Sequence, residues 1–169
     1  MIIHAVEIGE FDFSEYGIHY HMIYDKERVM HSSAASYEDH MTCLPVLDTP
    51  AHLGYTVGQP APCTVHSMEK HEHTMEAVFC TKDPIVLCVA ASRADMPPQA
   101  EDVRALILRP GDVAVLKRGI WHDACHGLGR PASYYYLASR GGKPAVWVEV
   151  EGEAVVETRA RADAYSDIF

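Results

Sequence analysis

Hydrophobic and polar residues alternate along most of this chain in short stretches. These stretches are rich in Val, Ile and Tyr, which favour β-strands, and Gly, Pro and Asp residues separate them. The pattern predicts strands at residues 2–8, 18–24, 53–58, 63–68, 77–80, 84–92, 103–108, 112–116, 132–138 and 145–152. Many short strands with few amphipathic helices are typical of a β-barrel or a double-sheet jelly roll, so we predict an all-β fold with minor helical segments.

Helical signals are weak and local. Residues 11–17 (FDFSEYG) could hold a helical turn capped by Ser14, and residues 36–41 (SYEDHM) could hold another. The C-terminal segment, from about residue 158, begins with helix formers but lacks caps, which indicates a tail or an arm on a partner subunit. Because no repeat or linker divides the chain, we expect a single domain over residues 1–169.

Composition and charge restrict the class of partner. The 169 residues are 48% hydrophobic and 22% charged, and no apolar run approaches the roughly 18 residues of a membrane-spanning helix. The N-terminal residues do not form a signal-peptide pattern, so we expect a soluble, cytoplasmic protein. The formal net charge of −10 would repel nucleic acid and anionic membranes. We therefore expect a small-molecule partner, with neither nucleic acid nor membrane.

The cysteines do not form a recognisable disulfide or zinc framework. They are odd in number and scattered, without a CxxC pair, so we interpret them as reduced thiols. They are Cys43, Cys63, Cys80, Cys88 and Cys125.

Two histidine-bearing segments carry the candidate chemistry. In KHEHTMEAVF, His71 and His73 would face the same side of a strand, and Glu76 could join them if the chain turns before the next strand. In GDVAVLKRGIWHDACH, residues 111–126, His122 follows a strand and a turn at Gly119. If the segments converge, three imidazoles and a carboxylate would suit Zn, Mn, Fe, Ni or Co.

The two segments resemble the two motifs of the cupin superfamily, H-x-H-x(3,4)-E and G-x5-P-x-G-x2-H-x3-N. Lys117 stands in place of the motif proline and His126 in place of the asparagine, and the gap before the glutamate is one residue short. The matching positions are His71, His73, Glu76, Gly111, Gly119 and His122. The resemblance implies a cupin-type β-barrel with a metal in its interior.

A closer resemblance is to the ureidoglycolate lyase family, whose members are cupins of about this length. It extends through most of the chain, from FSEYG through LGYTVGQPAPCTVHSMEKHEHTMEAVF to KRGIWHDACHG. His71, Glu76 and His122 fall on family motif positions, whereas His73 and His126 are additional histidines. The resemblance implies a lyase that cleaves a C–N bond in ureidoglycolate, or a similar small carboxylate, to give glyoxylate and urea.

The implied reaction assigns roles to the candidate residues. We expect a divalent transition metal, Zn, Mn, Ni or Fe, on His71, His73, Glu76 and His122. The general base would be Glu76 or His126, since an imidazole titrates near operating pH. The nearest candidate cations for the substrate carboxylate are Lys117, which could also act in catalysis, and Arg118; Lys70 and Arg130 come next. Among the tyrosines at 134–136, Tyr135 is the candidate for the cavity wall.

Other functions are compatible with the same residues. The additional His73 and His126 suggest a metal-dependent isomerase, epimerase or dioxygenase acting on a sugar or keto acid. A non-catalytic module that binds a small molecule is the third alternative. His19 and His21 share a strand face and are weaker candidates for the same cavity. Exposed strand edges and the C-terminal segment lead us to expect a homodimer.

Overall fold

This computed structural model describes residues 1–141 and 145–158. Nearly all of its regular structure is β-strand, and two short 3₁₀ turns span Ile8–Glu10 and Ala100–Asp102. The strands are β1 (Ile2–His4), β2 (Val6–Glu7), β3 (Gly17–His21), β4 (Val29–Ala34), β5 (Tyr37–Thr42), β6 (His52–Gly58), β7 (Pro60–Ala61), β8 (Cys63–Met68), β9 (Glu76–Cys80), β10 (Ile85–Ala90), β11 (Arg104–Leu108), β12 (Asp112–Leu116), β13 (Trp121–His122), β14 (His126–Leu128), β15 (Ala132–Ala138) and β16 (Val148–Glu157).

The strands form three stacked sheets and a separate hairpin. The central sheet has the order β2-β11-β10-β14-β7, with β13 also paired to β10. A five-stranded sheet, β3-β12-β9-β15-β6, packs on one of its faces, and a three-stranded sheet, β1-β16-β8, packs on the other. The hairpin consists of β4 and β5. The predicted all-β fold is therefore confirmed.

Strand β10 explains why the sequence contains one continuous apolar run. All six of its residues are fully buried, because alternate side chains enter the two cores on either side of the central sheet. Val86 and Cys88 pack toward the three-stranded sheet, whereas Ile85 and Leu87 pack toward the five-stranded sheet. A strand buried on both faces does not show the alternation of a half-exposed one.

A reciprocal pair of backbone hydrogen bonds joins the two histidine-bearing segments. The N–H of Glu69, just after β8, donates to the carbonyl of His122 at 2.9 Å, and the N–H of His122 donates to the carbonyl of Glu69 at 2.9 Å. The N–H of Gly119 donates to the carbonyl of His71 at 2.9 Å. Gly119 has a φ of +76°, a left-handed conformation that favours glycine. Together these bonds hold residues 69–71 against β13.

Three local predictions need correction. Residues 36–41 do not form a helical turn; they enter β5, which pairs with β4 across a two-residue turn, and a strand at β4 was not predicted. The turn at residues 14–16 exists, but the Asp12 carboxylate caps it by accepting from the N–H of Ser14. Strand β16 starts at Val148 and continues to Glu157. The tail predicted from about residue 158 lies almost wholly outside the described residues.

All five cysteines are free thiols, as expected.

In the ranges that the structure describes, no helix is long and apolar enough to cross a membrane.

His126 stabilises the turn between β13 and β14. Its Nε2 lies 3.0 Å from Oδ2 of Asp123. The Asp123 carboxylate, and then the Cys63 thiol, raise the pKa of His126 to about 10, while burial opposes the shift. The imidazole is therefore charged at neutral pH, and His126 is paired within the fold.

Replacing His126 by Asn should destabilise the protein in a pH-dependent way. Because the folded-state pKa is raised above the ordinary value of 6.5, the stabilisation is complete below pH 6.5 and disappears as the pH rises toward 10. We expect the variant to lower the free energy of unfolding by about 1 kcal/mol at pH 6 and by much less at pH 10. Urea denaturation at both pH values measures the difference, with His66→Asn, at an exposed strand position, as the control. An equal loss at both pH values would contradict the ion-pair explanation.

Candidate active site

A cavity of about 1610 Å³ opens between the central and five-stranded sheets. Leu87 from the central sheet and Val78 from the five-stranded sheet contribute apolar wall. The cavity also contains the predicted residues His71, Glu76 and His122. Polar groups that converge in a largely apolar cavity are typical of small-molecule sites.

His71 and His122 lie side by side, with ring centroids 5.1 Å apart. Oε2 of Glu76, the first residue of β9, lies 3.1 Å from Nε2 of His71 and 3.6 Å from Nε2 of His122. The prediction that the chain turns before residue 76, so that the glutamate opens the next strand, is confirmed. The structure thus brings together three of the residues that the motifs indicated.

Glu69 is a fourth member of the cluster and was missed by the sequence interpretation. Its Oε1 lies 4.0 Å from Nε2 of His71 and 3.9 Å from Nε2 of His122. Ligand atoms of Glu69, His71 and His122 all lie within 4.8 Å of one another, a spacing that a single metal ion could bridge. The sequence signal for Glu69 is the family-like EKH stretch, in which it lies two residues before His71.

Burial and ion pairing shift the pKa values of the cluster residues in opposite directions. Burial alone would raise the pKa of Glu76, but the imidazoles of His122 and His71 outweigh it and lower the pKa to about 2. Burial would lower the pKa of His122, yet the Glu76 carboxylate raises it. Burial raises the pKa of Glu69, against the opposing effect of both imidazoles. The Glu76 carboxylate is therefore a permanent negative charge in the cavity.

The geometry of His122 fits a cation. Its Nδ1 lies 3.1 Å from the carbonyl of Ile120, so that an Nδ1–H would donate to this oxygen and leave the Nε2 lone pair directed at the carboxylates. Nε2 is buried and lacks a hydrogen-bond partner among the residues that the structure describes. Two imidazole nitrogens and two carboxylates form a donor set that suits divalent transition metals.

His73 packs against His71, with ring centroids 5.8 Å apart, but its Nε2 is directed to a backbone carbonyl. Residues 69–75 do not continue β8, so the expectation that His71 and His73 share one strand face is wrong. The ring of His73 lies at the cavity wall, and its Nε2 is 2.9 Å from the carbonyl of Ser139. His73 is therefore not part of the Glu69, His71 and His122 group, whose ligand atoms lie close enough to share a metal ion.

The predicted cations and tyrosine lie away from the cavity. Nζ of Lys117 donates to the carbonyl of Ser14 at 2.5 Å, and Arg118 forms a bidentate pair with Asp48. These side chains extend outward from the turn at Gly119, and neither contributes to the cavity wall. Tyr135 faces outward, toward the rings of Tyr55 and Phe79. His126, bound to Asp123, is also outside the wall. The structure therefore does not place these four side chains in the cavity wall, and their roles in catalysis and substrate binding remain predictions.

Other residues line the cavity where the predicted cations and tyrosine were expected. Tyr134 and Tyr136, the neighbours of Tyr135, line the cavity. Tyr136 lies over Gly54 on the adjacent β6, where an added Cβ would stand 2.0 Å from the ring. Lys70 and Arg140 supply cations to the wall, and Nζ of Lys70 lies 4.7 Å from the centre of the Trp121 ring. Lys70 was a secondary candidate, and the sequence interpretation missed Arg140.

His19 and His21 do not reach this cavity. They line a separate hollow of about 580 Å³, where Nε2 of His19 is 2.7 Å from Oδ1 of Asp112.

Comparison with solved structures finds similarity to sugar-nucleotide epimerases. One is ChmJ, a 3'-monoepimerase from Streptomyces bikiniensis in complex with dTDP-quinovose (15% identity, TM-score 0.49), and another is RmlC from Streptococcus suis in complex with dTDP-D-xylose (6% identity, TM-score 0.46). Each alignment covers 69% of this chain and 63% of the other. An oxalate decarboxylase aligns over 57% of this chain and 23% of its own, at 15% identity and a TM-score of 0.41. At these identities the likeness concerns the fold and says nothing about activity.

Comparison by sequence identifies the family. No curated protein sequence matches the chain. The family model described as ureidoglycolate lyase matches residues 5–157, which include every strand from β6 to β15 and the whole histidine and carboxylate cluster. The chain therefore belongs to the ureidoglycolate lyase family.

Proposed function

We propose that this protein is a metal-dependent lyase that converts ureidoglycolate to glyoxylate and urea. The observation that carries the proposal is the convergence of His71 and His122 with two carboxylates in the cavity of a chain from this family. A small carboxylate is the substrate class, and the metal is a divalent transition ion.

The proposed ligands are His71, His122 and Glu76. Of the two carboxylates, Glu76 lies nearer to both imidazole nitrogens, and those imidazoles lower its pKa to about 2. A divalent ion bound there would polarise the hydroxyl and carboxylate oxygens of the substrate. With three protein ligands, positions remain for substrate.

Glu69 is the proposed proton carrier. Its carboxylate lies 4.0 and 3.9 Å from the two imidazole nitrogens, farther than that of Glu76, which supports a role in proton transfer over one as a ligand. Glu69 accepts the hydroxyl proton of ureidoglycolate; the carbonyl of glyoxylate then forms as the C–N bond breaks. The same carboxyl group returns the proton to the leaving nitrogen, which departs as urea. One residue thus supplies both the base and the acid that the reaction needs.

Arg140 and Lys70 are the proposed partners of the substrate carboxylate. Nζ of Lys70 is already 3.2 Å from the Glu72 carboxylate and 3.0 Å from Oγ of Ser92. The guanidinium of Arg140 makes no ion pair with the described residues and can offer its planar fork to a carboxylate. We therefore assign the main contact to Arg140.

The geometry favours the lyase over the isomerase, epimerase and dioxygenase alternatives. Those alternatives depended on His73 and His126 as additional site histidines. His73 contacts the Ser139 carbonyl and His126 pairs with Asp123, so neither adds to the donor set around His71 and His122.

The free thiols support a reducing compartment, and we propose the cytoplasm.

We further propose a homodimer that buries the outer side of β6. Leu53, Tyr55 and Val57 alternate along this edge strand and are 64%, 58% and 57% exposed. An exposed apolar edge strand is a surface that association commonly covers.

Substitution of the proposed ligands should remove the metal. His71→Ala, His122→Ala and Glu76→Gln should each lower the bound metal by about tenfold or more, because each change removes one of the three proposed protein ligands. Elemental analysis of protein purified without chelator measures the content, and circular dichroism checks the fold. His73→Ala, in the same loop, is the control and should keep its metal. A wild-type protein without stoichiometric transition metal would contradict the proposal.

Substitution of Glu69 should separate proton transfer from metal binding. Glu69→Gln should retain the metal yet lower kcat for urea and glyoxylate release by about 100-fold, since an amide cannot carry the proton. Lys117→Ala, outside the cavity, should leave kcat unchanged. If Glu69→Gln loses metal as Glu76→Gln does, Glu69 is a ligand instead. If the wild type releases no product above the spontaneous rate, the substrate is wrong.

The dimer proposal is tested by a charge on β6. We expect the wild type to elute at twice the chain mass of 18.8 kDa in chromatography coupled to light scattering, and Tyr55→Glu to elute at the chain mass because a buried carboxylate is costly. Leu44→Glu, at an exposed position outside the stripe, should remain dimeric. Identical masses for wild type and Tyr55→Glu would exclude this interface.

A further inference from the structure

The β4–β5 hairpin carries a second pair of converging imidazoles, remote in sequence from the cavity cluster. His31 on β4 and His40 on β5 are directly opposite each other in the strand register. Their Nδ1 atoms lie only 2.7 Å apart, and their ring centroids are 4.8 Å apart with a near-perpendicular tilt. At this distance one Nδ1–H donates to the other Nδ1, so the two nitrogens face each other.

The outer nitrogens of both rings face oxygen acceptors. Nε2 of His31 lies 3.1 Å from the carbonyl of Asp25, so an Nε2–H donates there and leaves Nδ1 as the bare nitrogen. Nε2 of His40 lies 3.9 Å from Oε2 of Glu38, within reach of a small side-chain rotation. Acceptors of this kind commonly fix the orientation of metal-ligating histidines. Both rings can therefore carry their protons on Nε2 and offer Nδ1 to one ion.

The surrounding charge favours a cation. The hairpin itself, residues 29–42, contains neither Lys nor Arg; Arg28, which directly precedes it, pairs with Asp25. Two carboxylates, Glu38 and Asp39, directly precede His40 on β5. The rings lie at the surface, with the His40 side chain 24% exposed, so an ion could enter and keep water in its remaining positions.

We propose that His31 and His40 form a second metal site, distinct from the cavity cluster, that takes a cis-coordinating divalent ion, Cu(II) or Ni(II). Two bonds of about 2.0 Å at a right angle separate the nitrogens by about 2.8 Å, close to the observed spacing, whereas tetrahedral angles require about 3.3 Å. The hairpin therefore discriminates against Zn(II), which prefers tetrahedral sites. The ion replaces the proton between the rings, and that proton moves to Nε2 of His40.

Copper titration of the full chain tests the site. Metal-free wild type, His31→Ala, His40→Ala and the double variant His71→Ala/His122→Ala are titrated with Cu(II) and followed by electron paramagnetic resonance. We expect each hairpin variant to bind one Cu(II) fewer than wild type, or to bind it about tenfold or more weakly. The double cavity variant should retain the hairpin signal. His66→Ala, at an exposed strand position, is the matched control and should bind as wild type does.

The outcomes separate this site from the proposed lyase function. If both hairpin variants bind Cu(II) with wild-type stoichiometry and affinity, the proposal is overturned, whatever the lyase assay shows. If the hairpin signal disappears in the cavity variant instead, the ion belongs to the cavity and the proposal is also overturned. Zn(II) should compete for the hairpin site at least about tenfold less effectively than Ni(II); equal competition would reject the cis geometry. Circular dichroism of the metal-free variants verifies that the hairpin variants fold.

Discussion

The candidate site depends on the reciprocal backbone hydrogen bonds between Glu69 and His122. Two segments separated by about fifty residues are held in register there, and each bond is 2.9 Å long. Because both residues carry site side chains, the bonds that end β8 and begin β13 also fix the distance between a carboxylate and an imidazole. The bond from Gly119 to the carbonyl of His71 adds the second imidazole to the same frame. A rigid backbone support of this kind limits how far the functional atoms can drift.

Strand β10, which is buried on both faces, anchors these hydrogen-bonded segments in the core. Val89 and Ala90 pair with His122 and Trp121, so β13 is attached to the most buried strand of the central sheet. The site residues therefore combine a short, irregular connection with an anchor in the core. Loops positioned on a rigid scaffold often carry function, because they can place side chains where regular strands cannot. His71 illustrates this point: it lies just beyond the end of β8, where the chain turns toward His122.

The sequence predicted the fold class and the core of the site, but not the directions of individual side chains. His71, Glu76 and His122 could be found because they occupy motif positions. Glu69 lies in the family-like EKH stretch that ends at His71 but was not named as a candidate, and its backbone bridge to His122 brings it to the site. Lys117 and Arg118 are neighbours of Gly119 in sequence, yet the turn directs them outward. Strand alternation predicted that Tyr135 and its two neighbours face opposite sides of the sheet. Which side faces the cavity depends on how β15 pairs with β6 and β9. The β4–β5 hairpin was missed because its residues are mostly exposed and lack an apolar alternation.

The charges of the cavity cluster bear on the proposed metal site in an acidic chain. With one divalent ion bound to neutral imidazoles, the two ionised carboxylates would balance the charge of the ion. Burial of unbalanced charge is costly, and this balance would avoid that cost. Under the proposed function, the positive charges of Arg140 and Lys70 on the wall would attract an anionic substrate. The overall charge of −10 would repel an anionic substrate mainly at long range. Salt screens such repulsion beyond about 10 Å.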